Sequence, residues 1–227
     1  MSIILNIDCS VETAVVNLSE NGICLGLRFN AEQKDHAGFL QSAILELSHS
    51  TGISLKKLDA IAVCYGPGSY TGLRVGMASA KGLCYALQKP LITLNTLETL
   101  ADLAIRQYQV RKKMEDLLFC PMIDARRMEV FTAIYDEQLN SILPGQAMVI
   151  DNDSFEDFLQ KNRILFFGNG AQKWKNICTS PQAEFFQLDI NPLFMSLLSN
   201  EKFLKSDFAD VAYSEPLYLK EFHFPGQ

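Results

Sequence analysis

Apolar and polar residues alternate along the first thirty positions in short runs, each closed by a turn signal. Residues 3–7 (IILNI), 13–18 (TAVVNL) and 23–29 (ICLGLRF) carry the period-two pattern and β-branched content of strands. Asn21-Gly22 tolerates the positive φ angles of a tight hairpin between the second and third. From about 32 to 50 the spacing becomes helical. Ala37, Leu40, Ala43, Ile44 and Leu47 form a stripe, with His36 beside it and Phe39 at its edge. A strand at 60–65, a loop reading GPGSYTG, a helix over 73–88, a strand at 91–94 and a helix from about 96 complete the order βββαβαβα.

From residue 117 that order recurs. Strands are predicted at 117–123, 128–135 and 146–150, and a helix over 153–160 capped by Ser154 or Asp153. A strand at 163–168, a helix near 171–177, a strand at 184–188 and a helix at 192–205 follow. Two landmarks keep register between the halves. Ile7-Asp8 and Ile123-Asp124 end the first strands. Gly66-Pro67-Gly68 and Gly168-Asn169-Gly170 follow the fourth. The pattern predicts an α/β protein of two duplicated lobes, 1–105 and 106–227, with the fate of the tail after 206 left open.

The helix over 73–88 departs from the usual one-sided stripe. Arg74, Lys81 and Gln88 lie seven apart on one line, and Leu73, Gly76, Met77, Ala80, Leu83 and Cys84 belong to an otherwise small or apolar circumference. Two glycines inside a helix cost about 1 kcal/mol each relative to alanine. A helix of this kind is expected to be covered on two sides, by the second lobe or by another chain. Ser69 and Thr71 are its candidate N-caps.

Composition narrows the chemistry. Of 227 residues, 48% are apolar and 20% charged, and the net charge is −6. No apolar run reaches membrane-spanning length, and the start MSIILNIDCS lacks a basic leader, which together predict a cytoplasmic protein. Six cysteines without a C-x-x-C pair read as buried thiols, and three scattered histidines offer no zinc spacing. His36 has no partner at ligand spacing and reads as a packed residue. The densest basic run, Arg111-Lys112-Lys113, is too small to grip a nucleic acid alone. After Gly72 comes Leu73-Arg74 where a P-loop needs lysine and a hydroxyl, so the GPGSYTG loop is a weak nucleotide signal.

Two βββαβαβα lobes with an aspartate at each first turn resemble the actin, Hsp70 and sugar-kinase superfamily, with its actin-like, ribonuclease H-like fold. More narrowly, NIDCSVETAVVNL, GPGSYTGLRVGMASAKGL and PMIDARRMEVFTAIY resemble the TsaB (YeaZ) family of bacterial tRNA-modification proteins. The resemblance runs from residue 3 to about 177 and returns at EPLYLK. It implies a non-catalytic scaffold for the threonylcarbamoylation of adenosine 37 in tRNAs. The expected partners are a catalytic TsaD-like subunit, bound through the two helices of the first lobe, and a TsaE-like ATPase. The tRNA is reached only indirectly. His36, Phe39, Leu40, Ala43, Leu47, Leu73, Gly76, Met77, Ala80, Leu83 and Cys84 would form the interface, with Arg74 and Lys81 at its rim. Substitutions at Gly76 or Ala80 would then break docking rather than folding, and the isolated chain would form homodimers.

Against the superfamily pattern the phosphate turns are incomplete. Active members read Asp-x-Gly-Ser/Thr at the first turn, whereas this chain reads Asp8-Cys9-Ser10-Val11-Glu12. Asp8, Ser10 and Asp124 stand as remnants of a nucleotide site, and a plain hydrogen-bonded turn is the competing reading at each. Arg126 and Arg127, after Asp124, could pair with a phosphate or serve a solvated turn or a salt bridge. The stretch matching the metal-binding helix of TsaD, Leu94 to Ala101, has no histidine. No cofactor is expected. The alternative is an actin-like ATPase or small-molecule kinase using Asp8 and Asp124.

Overall fold

A computed structural model describes residues 1–30, 36–109, 116–188 and 194–220. The predicted Arg111-Lys112-Lys113 cluster and the last seven residues lie outside the described residues. Two five-stranded sheets are present. In the first, β1 (Ile3–Asp8), β2 (Ala14–Glu20) and β3 (Ile23–Asn30) form an antiparallel meander, and β4 (Ala60–Gly66) and β5 (Leu91–Asn95) add parallel strands on the other side of β1, in the order β3-β2-β1-β4-β5. Asn21 and Gly22 both take positive φ at the β2–β3 hairpin, as the sequence predicts. Helix α1 (His36–Thr51) joins β3 to β4, α2 (Tyr70–Leu87) joins β4 to β5, and α3 (Thr96–Gln109) follows.

The second sheet repeats the plan. Its strands β6 (Leu117–Asp124), β7 (Glu129–Tyr135), β8 (Ser141–Val149), β9 (Arg163–Phe167) and β10 (Ala183–Phe185) take the order β10-β9-β6-β7-β8, antiparallel through β6-β7-β8 and parallel through β6-β9-β10. Helices α4 (Glu156–Leu159), α5 (Ala171–Lys175) and α6 (Phe194–Leu204) occupy the three matching connections. The duplication follows the pattern, and the actin-like, ribonuclease H-like fold is the one that the family resemblance implies.

The chain divides into two compact units, Met1–Thr99 with Ile190–Leu217, and Leu100–Asp189 with Tyr218–Gln227. The expected lobe boundary at 105/106 thus falls inside α3, and the segment containing α6 belongs to the first unit. Leu5, Ile7, Val16, Leu18, Ile61 and Val63 pack with α1 and α2 in the first core. Beneath α6 sits a polar patch. Ser196 Oγ and Asn6 Nδ2 both donate to Asn17 Oδ1, at 3.0 and 2.9 Å, and Asn6 also donates to Ser19. The second core is aromatic, with Trp174, Phe155 and Phe166 in mutual ring contact.

Several element ends differ from expectation. Helix α2 begins at Tyr70 rather than Leu73, because Ser69 alone caps it, accepting from the Gly72 N–H at 3.4 Å. Helix α4 is a single turn whose N-cap is Phe155 in the left-handed region. Ser154 instead hydrogen-bonds Asp151. Strand β8 starts at Ser141, five residues before the expected 146, despite Pro144 and Gly145. It is an edge strand, where proline's missing N–H costs no ladder bond. Among the described residues, no helix is long and apolar enough to cross a membrane.

Candidate functional site

The two landmark pairs turn out to be two copies of one construction. In the first unit the GPGSYTG loop lies directly on the turn after β1. The Ser69 N–H donates to the Ser10 carbonyl at 2.7 Å. A Cβ built on Gly68 would overlap that same carbonyl, and one on Gly72 would overlap the carbonyl of Cys9. The glycines therefore admit the chain's own backbone. Two peptide carbonyls sit at the start of α2, where the positive helix end would otherwise attract an anion.

Asp8 closes the turn from within. It is 6% exposed, and its Oδ1 accepts from the Ser10 N–H at 2.8 Å and the Ser10 hydroxyl at 2.6 Å. Burial, followed by the nearby Asp8 charge, pushes the Cys9 thiol up to about 12. Burial also lifts Cys64 well above 9, reinforced by the charge of Asp8 and a hydrogen bond to it, with a Thr99 hydrogen bond opposing. Thiols held protonated in this way are poor nucleophiles and poor metal ligands.

In the second unit Gly168 and Gly170 press on the last residues of β6, Met122 to Asp124. The Gly170 N–H donates to the Met122 carbonyl at 2.9 Å, and Asn169 Oδ1 accepts from the Asp124 N–H at 2.9 Å. Asp124 Oδ1 accepts from the Arg126 N–H at 2.6 Å, the same local turn that Asp8 makes. Here, however, the carboxylate is exposed and paired with Lys173 Nζ at 2.6 Å. Partial burial draws its pKa upward, but the Lys173 hydrogen bond, the Arg126 N–H and the two positive charges outweigh this and hold it below 3.8.

The expected interface residues divide sharply. Leu40, Ala43 and Leu47 on α1, and Leu73, Gly76, Met77, Ala80 and Cys84 on α2, are buried within their own unit. Phe39 and Leu83 pack half-buried at the margin. The eight buried residues are core, because the inner stripe of each helix faces the sheet. Substituting Gly76 or Ala80 by a large residue would therefore damage the fold. His36 opens α1, and its side chain lies outside the described residues. The outward faces carry Gln41 and Leu45 on α1, and Ala78, Gly82, Tyr85 and Ala86 on α2. Nothing lies within 4 Å of a Cβ built on Gly82, whereas Gly76 packs against Val63, Cys9 and Ile7. Gln41 Nε2 joins the two helices through Ser79 Oγ at 3.2 Å.

Both rim cations have partners within their own chain. Arg74 is exposed, with its guanidinium 4.1 Å over the Tyr70 ring. Lys81 Nζ donates to the Ala212 and Ser214 carbonyls at 3.0 and 2.9 Å. The Leu217 N–H bonds the Tyr65 carbonyl at 2.7 Å and the Ala209 N–H bonds that of Leu91 at 2.8 Å, so the tail runs along the first sheet and α2. Periodicity alone missed this strap and the placement of α6. A signal existed for α6. Asn6, Asn17 and Ser19 interrupt apolar strands, and Ser196 and Ser199 interrupt an apolar helix, so each set needed a polar counterpart.

Known proteins resemble this chain in sequence and fold. A family model described as TsaD, tRNA N6-adenosine threonylcarbamoyltransferase, matches residues 29–215. The tRNA threonylcarbamoyladenosine biosynthesis protein TsaB of Bacillus subtilis is 30% identical over 178 residues, covering 77% of this chain and 74% of that one. The chain belongs to the TsaB (YeaZ) family. The TsaB protein of Escherichia coli is 26% identical over 226 residues, covering 96% and 94% of the two chains. YeaZ from Pseudomonas aeruginosa superposes with a TM-score of 0.72 at 26% identity, covering 96% of this chain and all of that one.

Proposed function

We propose that this chain is a non-catalytic, cytoplasmic subunit in tRNA threonylcarbamoyladenosine biosynthesis that docks a TsaD-like catalytic subunit, with a TsaE-like ATPase in the same assembly. The names of its relatives support the pathway. One observation carries the non-catalytic part: the glycine seats of the first unit hold the carbonyls of Cys9 and Ser10. A carbonyl oxygen repels a polyphosphate where a phosphate-binding turn must attract one. With a net charge of −6, most tRNA affinity falls to the partner.

The docking surface in this reading is the outward face of α1 and α2. Its small side chains, Ala78, Gly82 and Ala86, permit close helix approach, and Tyr85, 78% exposed, supplies an aromatic anchor. In isolation the same face pairs two copies of the chain. The test is reconstitution with the TsaD-like subunit of the same cell. Wild type is expected to co-elute with that subunit and to be required for threonylcarbamoylation of tRNA. Gly82→Arg, whose Cβ meets no atom within 4 Å, should fold normally and lose both. Micromolar ATP–magnesium binding with hydrolysis by the chain alone would favour the kinase alternative instead.

A further inference from the structure

The turn between β6 and β7 places two arginines in a backbone region that disfavours them. Arg126 and Arg127 have φ of 70° and 48°. Side chains other than glycine, asparagine and aspartate rarely adopt such angles, and two in succession are seldom retained without a compensating use. The turn is otherwise unremarkable in its bonding, with the Ala125 N–H on the Glu129 carbonyl and the Glu129 N–H on the Arg126 carbonyl, both at 3.1 Å. Nothing in that bonding requires arginine.

The charges around the tip are sorted. The Asp124 carboxylate is paired with Lys173, and Glu129 with Lys220. Each neighbouring acid is thus matched by a lysine, leaving the two guanidiniums as the uncompensated charge. Both arginines are exposed, and among the described residues neither guanidinium makes a hydrogen bond or salt bridge. Arg126 reaches Asp124 through its backbone N–H and the charge of its guanidinium, with no side-chain hydrogen bond between them. With Asp124 and Glu129 each paired to a lysine, the tip carries a local excess of two positive charges on a chain of net −6.

We infer that the Arg126–Arg127 tip is a phosphate clamp for an RNA strand. Two planar guanidiniums presented from one turn suit phosphodiester oxygens, which they can grip bidentately. Such contacts set register rather than sequence preference. This goes beyond the proposed function, in which the partner holds the tRNA, and it depends on that reading only for the identity of the RNA.

The test titrates the full chain with tRNA by fluorescence anisotropy across salt, from roughly 20 mM upward. Arg126→Asn/Arg127→Gly places residues suited to positive φ at both positions, so it should melt about 2–4 °C higher than wild type. The same variant should bind tRNA about three- to tenfold more weakly, with a log–log salt slope shallower by about 1.4 to 1.8, the value for two phosphates. Arg126→Lys/Arg127→Lys should keep the slope. An unchanged affinity and slope in the Asn-Gly variant would overturn the inference. So would loss of co-elution with the TsaD-like subunit by that variant, which would make the tip a contact for an acidic protein segment. Failure of wild type to co-elute would instead sink the docking proposal and leave the tRNA titration readable.

Discussion

The first turns of the two units share one hydrogen bond and differ in most of what surrounds it: the second holds Arg126 and Arg127 at positive φ, and the first has no such residue. Each has an aspartate whose Oδ1 accepts the N–H two residues on, and glycines from the loop after the fourth strand press on each turn or on the strand end beside it. In the first unit the carboxylate is buried and answered by its own Ser10. In the second it faces outward and is answered by Lys173. Duplication preserved the seat while the chemistry on it diverged, one copy becoming a sealed joint and the other a charged surface.

Substitution should expose that divergence. The largest effect belongs to Gly72→Ala, whose Cβ would collide with backbone, at about 3 kcal/mol or more in urea denaturation; Gly170→Ala, whose closest approach is 3.0 Å, should cost about 1 kcal/mol. Equal losses would mean that the two seats are equally tight. Next, Ser10→Ala strips a donor from the buried Asp8 and should cost about 2 kcal/mol. The smallest effect is Lys173→Met, a few tenths of a kcal/mol, because that pair is solvent-screened. The depressed Asp124 pKa fixes its pH range. Its stabilisation is present above 3.8 and disappears as pH falls through the lower folded value, so wild type and variant should converge in strong acid.

The order of elements was legible because strand alternation and helical spacing are local, and the duplication was legible because Asp8 and Asp124, Gly66 and Gly168, stay in step. The orientation of α2 was not. Ala78, Gly82 and Ala86 count as apolar in a periodicity argument, yet they expose so little hydrocarbon that they tolerate water. An all-round apolar pattern therefore hides an ordinary inner stripe, in which Met77 and Ala80 are core residues. Strand β8 was shortened for a related reason, since Pro144 reads as a breaker until its edge position is known. Backbone-to-backbone seating at Gly68 and Gly72 has no sequence signature that separates it from a phosphate cradle, because both need the same missing side chain.

Helix α6 covers the first sheet although it is encoded after the whole of Leu100–Asp189. During synthesis, β1 to β5 must therefore wait with one surface uncovered until the intervening segment has left the ribosome. Neither half can be excised as a continuous stretch of gene, and the polar patch of Asn6, Asn17 and Ser19 is a latch that Ser196 completes only after α6 has been made.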